Sequence, residues 1–424
     1  MGHRRTWLAL LLMVLPLAAP RAQSLATLLP QALPGFGIAP MLTVRSRAEA
    51  ANAAEPMHAG AFLVSPGLEQ SLGYDDNVFS SAARRGSWML GTAPSLRLSS
   101  DWSRDAFGLV VSARDTRYPE QPRQNRTDAN AALGGALDFG HDRLTLGFAH
   151  LSAHDSRSAL DAIPADRPIR YELDEAGVSY ATGFGALTLT PELTAARWQY
   201  DGTTIGGAPV SQSYRDRLLL RAGTTLRYEF APLRNLVLVT RALSQHYTAA
   251  ARPSPDSNGL QMLGGIDYDD DTVWHYRLLV GAETRQFAAA AYRPHRGVIA
   301  EGEIVWNPSG MTTLHGTITR GVEDAAQEGV SGYTFTEGKL GIDHELARDW
   351  LISSGAALRQ AQFLQVGGQQ SGHGFGLGLT WLVQRGARVS ATYDFSAVRG
   401  GSAVLNTATP YARDLAVLTL KLGL

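Results

Sequence analysis

The chain has 424 residues, a formal net charge of −1, 44 glycines and no cysteine. The balanced charge argues against a nucleic-acid partner, and the lack of thiols excludes disulfides and thiolate metal sites. No run of 18 apolar residues occurs, so no helix can span a bilayer.

The first residues read as a secretory signal. Arg4 and Arg5 give a short positive start, Trp7 to Ala19 an apolar run of 13 residues, and Ala22-Gln23-Ser24 a small-x-small cleavage pattern. Residues 1–24 are therefore expected to be a signal peptide. Residues 25–59 contain Pro30, Pro34, Pro40 and Pro56 among small residues, and read as a short periplasmic leader. From Gly60 to the end, segments of 10 to 16 residues alternate apolar and polar side chains, and helical periodicity is weak.

In a strand, neighbouring side chains point to opposite faces. Between Tyr214 and Phe230 the even positions carry Leu218, Leu220, Leu226, Tyr228 and Phe230, and the odd positions carry Arg215, Arg217, Arg221 and Arg227. Trp274, Tyr276, Leu278 and Val280 likewise oppose Arg277, Glu283 and Arg285. Val298, Ala300, Ile304 and Trp306 oppose Glu301 and Glu303. Leu340 and Ile342 oppose Glu337, Lys339, Asp343 and Glu345. These charged faces, with Arg359, are the candidate lining of a water-filled lumen, able to set a mixed selectivity field or simply to hydrate a wall through pairing.

Eighteen such segments can be counted, separated alternately by tight connections ("TGFG", "NPSG", "VQRG") and longer ones ("SRSALDAIPADRP", "EDAAQEGVSG"). That alternation predicts an all-β fold: a transmembrane antiparallel up-and-down β-barrel of about 18 strands over residues 60–424, with both termini in the periplasm. Aromatics near strand ends (Trp88, Trp198, Tyr228, Trp274, Trp306, Trp350, Trp381) fit interfacial girdles. Leu418, Leu420, Leu422 and Leu424 form a final amphipathic strand, similar to the signal read by the outer-membrane assembly machinery.

No other constellation points to chemistry. The histidines lack metal-ligand spacing, and the glycines of "GHGFGLGL" precede a strand, not a helix, so a phosphate cradle fails there. Ser211, Ser213 and His246 are the residues a catalytic reading would need, and nothing local marks them as a site. Neither enzyme activity, metal nor cofactor is expected. Asp75, Asp76 and Asn77, in "SLGYDDNVF", are expected at a solvated rim where the first strand ends, with a divalent cation bridging to lipopolysaccharide as an alternative.

Gly60, Phe62, Val64, Pro66, Tyr74, Asp75, Asn77, Val78 and Phe79 together make the opening of the chain resemble the putative β-barrel porin 2 family of bacterial outer-membrane proteins. The resemblance implies an outer-membrane pore, in a family often associated with exopolysaccharide export, and partners among outer-membrane lipid, lipopolysaccharide, the assembly machinery and polysaccharide synthesis and export proteins. A general diffusion porin for small hydrophilic solutes, or a plugged structural barrel, are the alternatives. The sequence does not indicate an oligomeric state.

Overall fold

A computed structural model describes residues 33, 43–248, 253–269, 273–400 and 410–423. The expected signal peptide, the leader before Thr43 apart from Leu33, Asp270 and Asp271, and residues 401–409 lie outside the described residues.

Eighteen antiparallel strands make one barrel. They are β1 (Phe62–Asp75), β2 (Ser87–Ser100), β3 (Ala106–Arg117), β4 (Arg126–Asp138), β5 (Asp142–His154), β6 (Arg170–Phe184), β7 (Leu187–Tyr200), β8 (Arg217–Ala231) and β9 (Arg234–Tyr247). The circuit continues with β10 (Ser257–Asp269), β11 (Trp274–Phe287), β12 (His295–Ser309), β13 (Thr312–Glu323), β14 (Tyr333–Ala347), β15 (Trp350–Phe363), β16 (Gln369–Gln384), β17 (Ala387–Gly400) and β18 (Tyr411–Gly423). Each strand pairs with the next, and β1 pairs with β18 in the register Leu68–Leu422 to Asp75–Leu415, which closes the sheet. Closure satisfies the backbone N–H and C=O groups that lipid cannot. Connections of two to five residues gather at one end and connections of five to sixteen at the other. Each of the eighteen segments counted in the sequence is one of these strands.

The outer face is apolar and exposed, as at Val280, Val298, Leu340 and Leu358 (69% exposed). Aromatics concentrate at the short-turn end. Trp274 stacks on its cross-strand partner Trp306 at 5.2 Å, and Trp350 on Trp381 at 5.7 Å. At the long-loop end Tyr74 meets Trp88 edge-on at 5.6 Å. Trp198 departs from the expected girdle. It is buried on the inner face, with the Arg217 guanidinium 4.4 Å above its ring. Its parity is the reason: in β7 the even positions Glu192, Ala196 and Trp198 face in, and the exposed Leu193 and Arg197 face out.

The sequence opening that marks the chain lies at the seam, where Tyr74 is exposed and Asp76 half-exposed, but Asp75 and Asn77 are not solvated. Asp75 and Asn77 are fully buried. Arg413 of β18 donates from Nε to Asp75 Oδ1 (2.9 Å) and from Nη2 to Oδ2 (2.5 Å). The Asn77 amide donates to the carbonyls of Ser81 (2.8 Å) and Ala412 (2.9 Å). Asp76 accepts from the Asp414 N–H at 2.7 Å and from Arg84 at 2.5 Å. Both carboxylates are thus already neutralised by guanidinium groups. Phe79 lies beneath Arg85 and Arg157, at 5.5 and 5.8 Å.

Candidate functional site: the lumen and its two ends

Period-two alternation decides which side chains reach the lumen. On β8, Arg217, Arg221 and Arg227 are turned in, while Leu220 and Tyr228 are exposed outside. Arg277, Glu283 and Arg285 share the inner face of β11; Glu301 and Glu303 that of β12; Glu337, Lys339, Asp343 and Glu345 that of β14; Arg359 that of β15. Arg215 differs. It precedes β8, in a single 3-10 turn (Ser213–Arg215) of the long loop.

Many of these charges meet partners. Arg227 Nη2 reaches Asp267 Oδ2 at 2.6 Å. Arg241, an inner-face residue of β9, is paired with Glu301 of β12 across two intervening strands. Lys339 is paired with Glu337, and His315 Nε2 lies 3.6 Å from Asp343. Gln261 donates to Glu283 at 2.9 Å. Beside the charges runs an apolar stripe of Val237, Val239, Leu263, Leu279 and Ile299. The wall therefore presents both signs of charge, largely compensated, around an apolar patch.

At the long-loop end, chain folds into the barrel. The loop 324–332 carries Asp324 onto the wall, where it takes Arg285 Nη2 at 2.8 Å, Arg217 Nε at 3.1 Å and Gln245 Nε2 at 2.7 Å. Burial by itself would raise the Asp324 pKa, but Arg285 and Arg217 outweigh it and hold the carboxyl below its ordinary value. The loop 155–169 starts beside Arg215, which donates to Asp155 at 2.6 Å. It then crosses the lumen, for Leu160 is buried among Tyr333, Phe335, Phe363, Val398 and Tyr411 on the far wall and Val330 of the loop 324–332. The approach is close enough that a Cβ at Gly372 of β16 would lie 3.2 Å from Leu160 Cδ2, so glycine there makes room for the loop. The two loops join where Asp161 Oδ2 accepts the Ala326 N–H at 2.9 Å and Gln327 donates to the Asp161 carbonyl at 2.9 Å. Tyr214 of the 3-10 turn ties in through the Ala326 carbonyl at 2.6 Å. A small cleft remains between the loop 324–332, the 3-10 turn and Pro253 and Pro255.

At the short-turn end a helix, α1 (Val44–Ala51), sits inside the mouth. Its sequence favours it locally. Thr43 and Ser46 form a reciprocal capping box, Arg45 and Glu49 pair at i,i+4, and Ala48, Ala50 and Ala51 are strong helix formers. The Val44 N–H donates to Thr313 at 2.8 Å, Val44 packs on Leu351 and Leu382, and Arg388 of β17 holds Glu49 at 2.7 Å. Gly386, with φ +80, passes its N–H to the Asn52 carbonyl at 2.7 Å. Leu33 is buried against Ala149, Leu151, Leu173 and Trp198 on the β5–β7 wall, away from the strands that hold α1. Leu33 and α1, both within the segment read as a periplasmic leader, thus pack against the inner face of the barrel.

Several of these groups escaped sequence reasoning. Arg241 had a signal, the same alternation that exposes Leu236 and Leu238 on the other face. Thr43 and Ser46 carried a capping pattern. Asp155, Asp161 and Asp324 had none, because nothing in a long polar loop says that it folds inward. The three residues a catalytic reading would need do not assemble: Ser211 and Ser213 bond each other at 3.0 Å, and His246 pairs with Asp256 at 2.9 Å.

The model of the family described as putative beta-barrel porin 2 matches residues 52–411. The chain belongs to that family. It is accordingly a porin-like β-barrel of the outer membrane. No curated protein matches it. Among solved structures it is similar to the outer membrane protein OpdK from Pseudomonas aeruginosa (13% identity, 85% of this chain and 99% of the other, TM-score 0.43). Two others are OccK9 (OpdG) of the same organism (12%, 86% and 98%, 0.46) and OccAB4 of Acinetobacter baumannii (9%, 86% and 99%, 0.46). Within this porin family member the Tyr74–Phe79 stretch, which carries the family likeness, is part of the joint that closes the barrel.

Proposed function

We propose that the protein is an outer-membrane channel for small hydrophilic solutes, with short turns and termini in the periplasm and long loops outside. The observation that carries this is the charge-lined lumen crossed by the loop 155–169. A conduit for exopolysaccharide needs a bore clear along its axis. Here chain enters the lumen from both ends, which suits passage of small solutes past paired charges and suits a polymer less well. The inward residues from Arg217 to Arg359 are the wall such solutes meet, and Arg215 belongs to the lid above it. The barrel's partners on this view are lipid, lipopolysaccharide and the assembly machinery that reads the last strand.

Reconstitution in planar bilayers and liposomes tests the proposal. Stepwise ion conductance is expected, with uptake of monosaccharides and amino acids and exclusion of long oligosaccharides. Folded protein that conducts no ions would overturn it, as would a deletion strain that loses its secreted polysaccharide.

A further inference from the structure

One strip of the inner wall holds buried polar groups without partners. Glu337, Arg359, Gly372, Val398 and Tyr411 stand opposite one another in register across β14 to β18, and all are buried on the inner face. Arg359 is 2% exposed, and its Nε and Nη2 have no partner among the described residues. Gln370, its diagonal neighbour on β16, is 1% exposed, with both amide atoms likewise unpartnered. Glu337 Oε2 is taken by Lys339, so that pair is neutral and the charge of Arg359 is the odd one in the strip. The other titratable groups facing Arg359 are phenols, Tyr333 and Tyr411.

The open edge of Arg359 has a direction. A Cβ added to Gly372 would sit 3.5 Å from both Nε and Nη2, and 3.2 Å from Leu160 Cδ2. The two nitrogens therefore lie against bare backbone, with the isobutyl group of Leu160 beside them. Leu160 offers that edge no acceptor, though it fills an apolar seat among Tyr333, Phe335, Phe363 and Val398. At the seam the same edge of Arg413 is closed by both oxygens of Asp75, at 2.9 and 2.5 Å. A planar guanidinium edge matches the two oxygens of a carboxylate.

Resting on the channel function proposed above, we propose that this strip is a binding site for a small branched-chain carboxylate. Its two oxygens take Nε and Nη2 of Arg359 over Gly372, and its apolar tail takes the seat of Leu160. Gln370 brings an amide donor to the same face. Solute and loop then compete for one place. The bound carboxylate neutralises the odd charge and lifts Leu160 off the far wall, which opens the crossing to its own passage.

Titration calorimetry of the folded, detergent-solubilised protein with isovalerate tests this, with isovaleramide as the uncharged isostere. Isovalerate is the side chain of leucine carrying a carboxylate. It should bind saturably, and the amide should not. Arg359→Met should weaken binding by roughly 100-fold, the worth of a charge-assisted pair of hydrogen bonds. Gly372→Ala, which sets a methyl against both nitrogens, should weaken it too. Leu160→Ala, which removes the competitor, should tighten it. Absence of binding to the native protein overturns the site, and conduction by the same preparation in bilayers leaves the channel function standing. Equal binding of the amide, unchanged affinity in Arg359→Met or in Leu160→Ala, or tighter binding of inorganic phosphate also overturns it. Saturable, Arg359-dependent binding to folded protein that conducts no ions upholds the site and removes the channel function.

Discussion

Two arginines on the inner wall, both at the long-loop end, show how differently this barrel treats the same group. Arg413, at the seam of β1 and β18, gives its Nε and Nη2 to the two oxygens of Asp75. Arg359, on β15 beneath the crossing loop, presents the same two nitrogens buried and with no partner among the described residues. Its one reach toward the loop is Nη1 to the Ser158 carbonyl at 3.5 Å. The nearest cross-strand acid, Glu337, is taken by Lys339. In a low dielectric, a bidentate guanidinium–carboxylate pair is a fixed joint, whereas a buried guanidinium without a counter-ion costs free energy to hold. The seam is built to stay shut, and the lid rests on a contact it can give up.

The largest expected effect breaks the first half of that comparison. Asp75→Ala leaves Arg413 buried and unpaired, and should destabilise the folded barrel by about 3–5 kcal/mol. Urea unfolding followed by the heat-dependent gel shift of the folded form would measure it. A loss below about 1 kcal/mol, the size of a surface pair, would mean that the seam does not depend on this ion pair.

Arg359→Met sharpens the other half. It keeps most of the side-chain volume and removes the orphaned charge, so the change should be neutral or stabilising by about 1–4 kcal/mol. Arg413→Met should instead destabilise, because it strands Asp75. If both methionine variants lose stability equally, Arg359 has a structural partner and the contrast fails.

How much of this was legible follows from which physical rule governs each part. Alternation along Arg217–Ala231 and Tyr333–Ala347 is dictated by the pleat, so the inner faces could be read residue by residue. The strand count followed from the rhythm of short and long connections. Asp75 and Asn77 are interior and not at the solvated rim expected for them, because their partners Arg413 and Ala412 are more than 300 residues away and only closure of the sheet brings them together. Arg215 was put on the wall because the alternation runs unbroken through Tyr214 to Arg217, though the chain there turns once as a 3-10 helix. The lid was illegible for a simpler reason: Asp161 and Asp324 stand in polar loops that could equally have remained in solvent.

The smallest expected effect concerns the opposite mouth, where α1 is held by several modest contacts and by no buried ion pair like that of Asp75. Thr43 caps the helix by accepting the Ser46 N–H at 3.1 Å. Thr43→Ala should weaken α1 by about 1 kcal/mol, with no loss of barrel stability, because the helix is too short to hold without its cap and its seat. A shift of that size changes a docking equilibrium roughly five-fold. It would appear as more frequent excursions to a larger conductance, with the same current at each level. Arg388→Gln, which loosens Glu49 from β17, should act in the same direction and through the same states. If the two variants instead change the size of the conductance steps, α1 narrows the channel without moving, and the mouth is as permanent as the seam.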